Sequence, residues 1–226
     1  MKIITIVRTL NEESNIKRFC ESYLWVDKLI IADGGSTDKT IEIASTYKNV
    51  EIYNFLDIIK TGNFISNPRG KHINFLIDLA KKNNPDWIIF DDCDCVPTVT
   101  LQKEGRAILE SCSESLVHAY RLYIYGYDKY APELNIPGQS LWAWKSNVDV
   151  QAIENNPLWF EMHIPKESVL NLDYPHSLLH YCWPSEEVIQ MKRSYYGETG
   201  EMPKDSVHPF QLYRFINLPD WAKCNE

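Results

Sequence analysis

The segment FDDCDC at residues 90–95 places three carboxylates directly after an apolar run. Like charges this close raise one another's pKa unless a cation lies among them. In an extended segment, side chains two residues apart share a face, so Asp92 and Asp94 would point at one ion and the two cysteines would point away. Carboxylate oxygens suit Mg²⁺ or Mn²⁺ better than Zn²⁺. The segment therefore predicts a divalent-metal site, with a solvated acidic turn as the alternative.

A second polar segment, ADGGSTDKT at residues 32–40, follows another apolar run. Its paired glycines permit unusual backbone angles, and its hydroxyls and Asp38 suit the start of a helix. Neither GxxxxGK[ST] nor GxGxxG occurs in the chain, which weighs against a P-loop nucleotidase and a dinucleotide-binding dehydrogenase. Taken alone, the segment predicts a capped turn between a strand and a helix.

Both segments lie where a strand is expected to end, because apolar runs alternate with helical stripes from the N-terminus. The expected strands cover residues 3–7, 29–32, 50–55 and 87–90. The first expected helix follows an N-cap at Asn11, and two further helices cover residues 37–47 and 73–80. Uninterrupted apolar strands indicate a parallel sheet with helices on both faces, and such sheets bind ligands at the carboxyl ends of their strands. Polar residues 8–12, 33–38 and 91–94 are therefore expected at one edge.

Beyond residue 98 the alternation fades. We expect a helix at 98–113, one long strand at 116–125, another strand at 140–145 and a helix at 185–196, with irregular structure elsewhere. No repeat or linker marks a second unit. The sequence therefore predicts one domain over residues 1–226, with halves at 1–98 and 99–226.

The composition fits one compact domain, with 44% hydrophobic and 24% charged residues among 226. A formal net charge of −8 disfavours nucleic acid as a partner, although it does not exclude a local basic groove. No apolar run is long enough to cross a bilayer and no signal-peptide cleavage site is visible, so we expect a cytoplasmic protein without an integral membrane segment. The six cysteines are expected to be reduced, and no second Cys/His pair supports zinc at residues 93 and 95.

Together, RTLNEE, IIADGGSTDKT and WIIFDDCDCVPT resemble the N-terminal half of the family 2 glycosyltransferases of the GT-A fold, over residues 3–98. The resemblance implies an α/β fold with one Rossmann-like, mostly parallel sheet and an irregular acceptor-side C-terminal part. It implies that Asp92 is directed towards the ribose or sugar of a nucleotide-sugar donor and Asp94 towards the cation. The implied nucleoside-binding residues are Arg8, Thr9, Asn11, Glu12 and Asp33.

One departure from the family pattern is visible in the helix after the third strand. The family often has an Arg before an Asn there, and the matching pair in this chain is Ile73 and Asn74. Arg69, Lys71 or His72 is the expected substitute for the contact to the diphosphate or base.

Residues 178–196 are similar to a branch of this family that includes lipopolysaccharide core glucosyltransferases. The branch has a Glu shortly before this stretch, which corresponds to Glu161. The resemblance implies that His180 completes the metal shell or reaches the leaving diphosphate, with a structural histidine as the alternative. Lys192 and Arg193 would neutralise phosphate, unless they form a solvated helix face.

Four tryptophans suggest a sugar-stacking acceptor platform, with core and lid packing as the favoured alternative for each. They are Trp142, Trp144, Trp159 and Trp183.

The resemblance implies an inverting, metal-dependent enzyme that moves a sugar from a nucleotide-diphosphate sugar, UDP-glucose by default, to a hydroxyl acceptor, expected to be a saccharide. The expected base is Glu161, with Asp149 and Glu154 as alternatives, and the expected cofactor is Mn²⁺ or Mg²⁺. A lipid-linked acceptor would require peripheral membrane association. Protein and modified DNA are alternative acceptors. Two other classes of protein are alternatives: a sugar nucleotidyltransferase and a non-catalytic binding module. The first is disfavoured because its loop after the first strand is usually basic and rich in glycine, whereas RTLNEE is acidic.

Overall fold

The computed structural model describes residues 1–55, 69–132, 140–153, 162–183, 185, 190 and 216–219. The helices are α1 (Ile16–Ser22), α2 (Thr40–Ala44), α3 (Arg69–Lys82) and α4 (Val99–Ser111). The strands are β1 (Ile3–Thr9), β2 (Lys28–Asp33), β3 (Val50–Asn54), β4 (Trp87–Phe90), β5 (Cys95–Pro97), β6 (Leu116–Ala119), β7 (Arg121–Tyr125), β8 (Lys129–Tyr130), β9 (Ser140–Lys145), β10 (Gln151–Ala152), β11 (Met162–His163), β12 (Val169–Asn171), β13 (Leu178–Trp183) and β14 (Ile216–Asn217).

The main sheet has the strand order β12-β6-β9-β4-β1-β2-β3. Among its described strands only β9 runs against the others, since it is antiparallel to both β4 and β6. β1, β2 and β4 are buried on both faces along nearly their whole length, which is the pattern of parallel strands covered by helices. The predicted α/β fold with a mostly parallel sheet is therefore confirmed.

Alternate residues of the central strands enter two separate apolar cores. Ile3 and Val7 of β1 belong to the core that includes α1 and α4, whereas Ile4 and Ile6 belong to the core that includes α3. A Cβ atom added to Gly105 of α4 would lie 3.0 Å from Cη2 of Trp25. The missing side chain at this position is what lets α4 approach the indole so closely.

A second sheet, with the order β14-β8-β7-β13-β5, holds much of the second half of the chain. The single long strand predicted for residues 116–125 is wrong, because the chain changes sheets at Tyr120. Ala119 at the end of β6 pairs with Ser140 of the main sheet, whereas Arg121 at the start of β7 pairs with Leu178 of the second sheet. This change of sheet carries Arg121 towards the end of β4.

The prediction that Asn11 caps the first helix is also wrong. Asn11 has a φ of 54° and α1 begins at Ile16. Asparagine tolerates this left-handed conformation better than most residues. The second helix is five residues long instead of the eleven expected. By contrast, the helix expected after residue 98 is present as α4, and Thr98 caps it by accepting from Leu101 N at 3.3 Å.

Several other expectations fall on the second half. Residues 178–183 form β13 where irregular structure was expected, while the helix expected at 185–196 lies outside the described residues except for positions 185 and 190. The five cysteines within the described residues are free thiols, as predicted for them. Over the described ranges, no helix combines the length and apolarity needed to span a membrane.

Candidate active site

The polar segments that follow β1, β2 and β4 lie at one edge of the main sheet, as the parallel arrangement predicts. Thr9 at the end of β1 pairs with Asp33 at the end of β2, and Ile6 pairs with Phe90, the last residue of β4. Arg8 of β1 is therefore carried next to Asp92, with Nη2 of the arginine 3.5 Å from Oδ1 of the carboxylate.

Arg121 reaches this edge from the second sheet, and sequence reasoning missed it. Its Nη1 is 4.0 Å from Asp92 Oδ2 and its Nη2 is 3.5 Å from Asp91 Oδ1. Burial opposes the charged form of this arginine, but Cys95 and the two carboxylates raise its pKa above the usual value. The signal that could have found it is an arginine at the start of the otherwise apolar run RLYIY.

Asp91 was likewise not assigned a role from the sequence. It is fully buried, and its Oδ2 accepts a hydrogen bond from the hydroxyl of Tyr23 at 2.6 Å. Burial raises the pKa of Asp91 to about 7, although Arg121 acts in the opposite direction. Asp91, which follows β4, thus contacts both the residue after α1 and the first residue of β7.

Asp94 and His180 form the other half of the cluster. His180 Nε2 is 3.5 Å from Asp94 Oδ1, and both side chains are 18% exposed. β13 and β5 produce this contact, because His180 pairs with Cys95 and the amide of Tyr181 donates to Asp94 O at 2.7 Å. The structure therefore brings together two of the three residues predicted to bind metal.

Asp92 and Asp94 do not share a face in an extended segment, so that premise is wrong. The amide of Cys95 donates to Asp92 O at 2.8 Å and closes a turn over residues 92–95. Asp92 lies between two arginines and Asp94 lies beside His180. The turn therefore places Asp92 beside arginine side chains and Asp94 beside an imidazole.

Asp94 and His180 fit a divalent cation as a partial set of ligands. Mg²⁺ is often held by one or two protein carboxylates, with substrate phosphates and water as its other ligands. Among the described residues, no group of three or more His, Cys, Asp or Glu side chains is arranged to hold a metal by itself. Cys93 and Cys95 are buried, and burial raises the pKa of both thiols well above the ordinary value, which disfavours thiolate zinc ligands.

Each oxygen of Asp33 already accepts two hydrogen bonds. Its Oδ1 accepts from Thr9 Oγ1 at 2.9 Å and from Ser36 Oγ at 2.6 Å, and its Oδ2 accepts from the amides of Gly35 and Ser36. A carboxylate has about four acceptor positions, so a donor from a nucleoside would have to replace one of these partners. Asp33 and Thr9 thus shape the turn as well as lying at the expected edge.

The loop after β1 is tied to the loop after β2. The amide of Asn11 donates to Ser36 Oγ at 2.8 Å, and the amide of Thr37 donates to Asn11 Oδ1 at 2.8 Å. The amide of Glu12 donates to Thr40 Oγ1 at 2.7 Å. The two segments predicted to bind a nucleoside therefore form one hydrogen-bonded unit.

The start of α3 also approaches this edge, through His72. The imidazole is 3% exposed, its Nε2 is 3.1 Å from Ala32 O, and its ring stacks on Phe55 with centroids 3.7 Å apart. These contacts give His72 a structural role rather than the contact to diphosphate or base that was considered for it. Lys71 is exposed in the first turn of α3, and the side chain of Arg69 is outside the described part.

His72 is expected to make folding stability depend on pH. Burial lowers its pKa from 6.5 to about 3, so its contribution is complete above about pH 6.5 and is lost as the pH falls towards 3. Between pH 7 and pH 5, the wild-type unfolding free energy should fall by about 2 kcal/mol more than that of His72→Gln. Urea titrations of both proteins at the two pH values measure this difference. An equal fall in unfolding free energy for both proteins would contradict it.

The remaining predicted residues are not brought into the cluster by the described structure. Asp149 is exposed between β9 and β10, and among the described contacts its carboxylate accepts from Gln151 Nε2 at 2.8 Å and has no contact with Asp92 or Asp94. Trp142 and Trp144 are fully buried, which supports packing and excludes sugar stacking for this pair. The following lie outside the described residues or side chains: Glu154, Trp159, Glu161, Trp183, Lys192 and Arg193.

Comparison with known families identifies the class of protein that has this fold and edge. The model of the family described as Glycosyl transferase family 2 matches residues 5–163, well over half of the chain. The chain belongs to this family of glycosyltransferases, and its mostly parallel sheet flanked by helices is a GT-A α/β fold. The family prediction made from the three motifs is therefore confirmed, whereas the match does not distinguish branches within the family.

One solved structure agrees with the fold, and two others are similar to part of the chain. The crystal structure of S. aureus TarS 1–349 has a TM-score of 0.55 at 17% identity and covers 87% of this chain and 66% of that chain. TarS 1–349 in complex with UDP-GlcNAc has a TM-score of 0.45 at 22% identity, over 56% of this chain and 36% of that chain.

A third structure is glucosyl-3-phosphoglycerate synthase from Mycobacterium tuberculosis in complex with Mn²⁺, UDP and glucosyl-3-phosphoglycerate. It has a TM-score of 0.41 at 21% identity and covers 54% of this chain and 44% of that chain. The chain thus spans 36% to 66% of the length of these three structures. No curated protein sequence matches the chain.

Proposed function

We propose that this chain is an inverting, metal-dependent glycosyltransferase that moves a sugar from a nucleotide-diphosphate sugar, with UDP-glucose as the default donor, to a hydroxyl of a saccharide. The observation that carries the proposal is the meeting of Arg8, Asp92 and the Asp94–His180 pair at the carboxyl edge of the parallel sheet. This is the edge where sheets of this kind bind ligands. Membership of family 2 supports the reaction class.

The donor end of the site combines cationic and acceptor groups suited to a nucleotide sugar. The guanidinium of Arg8 can donate to phosphate, and Asp92 can accept from sugar or ribose hydroxyls. Lys71 is exposed at the start of α3 and is proposed, with Arg69, as a further phosphate contact. Thr9 and Asp33 at the ends of β1 and β2, with Asn11 and Glu12 in the loop after β1, are proposed to form the nucleoside pocket.

Asp94 and His180 would hold Mn²⁺ or Mg²⁺, with Asp92 as a further proposed ligand. When bound, the ion would compensate the negative charge that develops on the departing diphosphate. Lys192 is proposed to add a positive charge near the same phosphates. The distance of 3.5 Å between the carboxylate and the imidazole supports this assignment, because both groups can turn towards one position.

Transfer with inversion also needs a base. The acceptor hydroxyl attacks the anomeric carbon from the face opposite the diphosphate, and a carboxylate takes its proton as the new bond forms. We propose Glu161 for this role, with Asp149 and Glu154 as alternatives. An α-linked donor would then give a β-linked product.

We extend the proposal to the branch of the family, the domain organisation and the cellular location. A position near the lipopolysaccharide core glucosyltransferase branch agrees with His180 lying beside Asp94. We propose one domain with a nucleotide-sugar half at 1–98 and an acceptor half at 99–226, in a cytoplasmic protein that associates peripherally with membranes if its acceptor is lipid-linked. Protein and modified DNA remain alternative acceptors.

The proposed function is tested first by nucleotide binding. UDP with Mn²⁺ at a hundredfold excess over Kd should stabilise the chain by about 2.7 kcal/mol and raise Tm by about 5 °C or more. GDP, CDP and dTDP should have smaller effects. Arg8→Met should weaken this stabilisation, whereas Arg106→Met, which removes an arginine paired with Asp27 elsewhere, should not. No shift with any of the four nucleotides in excess manganese would contradict the proposal.

Product analysis with labelled nucleotide sugars then separates the reaction classes. A glycosyltransferase transfers the sugar or slowly hydrolyses the donor, whereas a sugar nucleotidyltransferase exchanges pyrophosphate with a nucleoside triphosphate. In the same assay, Glu161→Gln should still bind donor but lose turnover. Retained turnover in this variant and loss in Asp149→Asn would transfer the base assignment to Asp149.

A further inference from the structure

Two arginines from different sheets meet one carboxylate in the candidate site. Nη2 of Arg8, on β1 of the main sheet, is 3.5 Å from Asp92 Oδ1. Nη1 of Arg121, on β7 of the second sheet, is 4.0 Å from Asp92 Oδ2. Each oxygen of Asp92 therefore faces a guanidinium of its own.

Arg121 is anchored below Asp92 by a second carboxylate. Its Nη2 is 3.5 Å from Asp91 Oδ1, while Tyr23 occupies the other oxygen of Asp91. Asp91 is fully buried and the side chain of Arg121 is 20% exposed. A guanidinium is planar and rigid, so one group can face Asp91 with Nη2 and Asp92 with Nη1 at the same time.

Neutralising Asp91 does not by itself account for this arrangement. A contact to Asp91 alone would serve that purpose, yet the guanidinium spans both carboxylates. The Nε atoms of Arg8 and Arg121 are buried, and each lacks a hydrogen-bond partner among the described residues. A buried donor without a partner is unfavourable, so these two Nε atoms add nothing to folding stability.

We propose that Arg121 is a positioning residue that, together with Arg8, fixes the carboxylate of Asp92 in the orientation in which it meets the sugar or ribose of the donor. The inference rests on the proposed function, since it needs a nucleotide-sugar donor at Asp92. Arg121 acts through Asp92, and Asp91 holds Arg121 in place.

The test uses Arg121→Lys, Asp92→Asn and the double variant of the full chain. Lysine keeps the positive charge next to buried Asp91, so the chain should fold, but a single ammonium cannot span both carboxylates. We expect Arg121→Lys to lower kcat/KM for UDP-glucose hydrolysis or transfer about tenfold, and to have little further effect in the Asp92→Asn background. Arg106→Lys, at the ion pair with Asp27, is the matched control and should leave kcat/KM unchanged.

Calorimetric Kd values and urea unfolding of the wild-type chain, Arg121→Lys, Asp92→Asn and the double variant separate positioning from a structural role. Equal losses of kcat/KM in both Asp92 backgrounds would show that Arg121 acts independently of Asp92 and would overturn the inference. Wild-type kinetics in Arg121→Lys would overturn it as well. A wild-type chain that binds no UDP or UDP-glucose in excess manganese would instead overturn the proposed function, and this inference with it.

Discussion

Asp94→Asn is expected to lower the rate of sugar transfer about a hundredfold or more, because a bound divalent ion contributes several kcal/mol of charge stabilisation in such reactions. Asparagine keeps the size of the side chain and removes its negative charge. The hydrogen bond from the Tyr181 amide to Asp94 uses the backbone carbonyl and is unaffected by the change. Turnover measured across a Mn²⁺ titration, with Tm recorded alongside, checks this expectation.

Asp78→Asn is the matched control for this change. Asp78 is exposed on α3, so the same substitution there should alter neither rate nor Tm. His180→Gln should follow Asp94→Asn in its dependence on manganese, since the imidazole lies 3.5 Å from Asp94. Wild-type turnover in Asp94→Asn at every manganese concentration would remove Asp94 from the mechanism.

Trp142→Ala is expected to reduce the unfolding free energy by about 3 to 5 kcal/mol, which is the usual effect of truncating a large aromatic residue in a core. The side chain of Trp142 is fully buried and lies against Trp25, with ring centroids 6.3 Å apart. A Cβ at Gly105 would be 3.4 Å from its Cη2, so the indole also fills the space beneath α4. Urea unfolding measures this loss of unfolding free energy, with the dependence of the free energy on urea concentration fitted separately for each protein.

Leu24→Ala is the comparison for the effect of burial, because Leu24 is 59% exposed and its truncation should change stability by at most about 0.5 kcal/mol. Trp142→Phe should show a smaller loss in the same direction and serves if the alanine variant does not fold. A loss for Trp142→Ala no larger than that for Leu24→Ala would contradict the packing described for this tryptophan.

The elements that sequence reasoning found are those whose signal is local. β4 was predicted with its observed bounds because WIIF is a short apolar run, and α4 was found from its helical stripe. The division at Tyr120 was missed because both halves of residues 116–125 favour strands equally. Only the pairing partners, Ser140 for one half and Leu178 for the other, distinguish them.

In the loops, too, local sequence signals do not reveal contacts with residues that are distant in the chain. Asn11 has the residue type of an N-cap, and it adopts a left-handed conformation while bonded to Ser36 and Thr37 in the loop after β2. These partners are some 25 residues away in the chain. A rule based on neighbouring residues could not identify them, because the hydrogen bonds exist only when β1 and β2 lie side by side.

The sequence by itself determined that the polar segments after β1, β2 and β4 share an edge, since parallel strands with apolar runs place their carboxyl ends together. Which charges meet there was decided by the tertiary structure. Arg121 and His180 arrive on the second sheet, and their contacts with Asp92 and Asp94 depend on how the two sheets pack. Backbone preferences act over a few residues, whereas these contacts join residues 29 and 86 positions apart and form only in the folded chain.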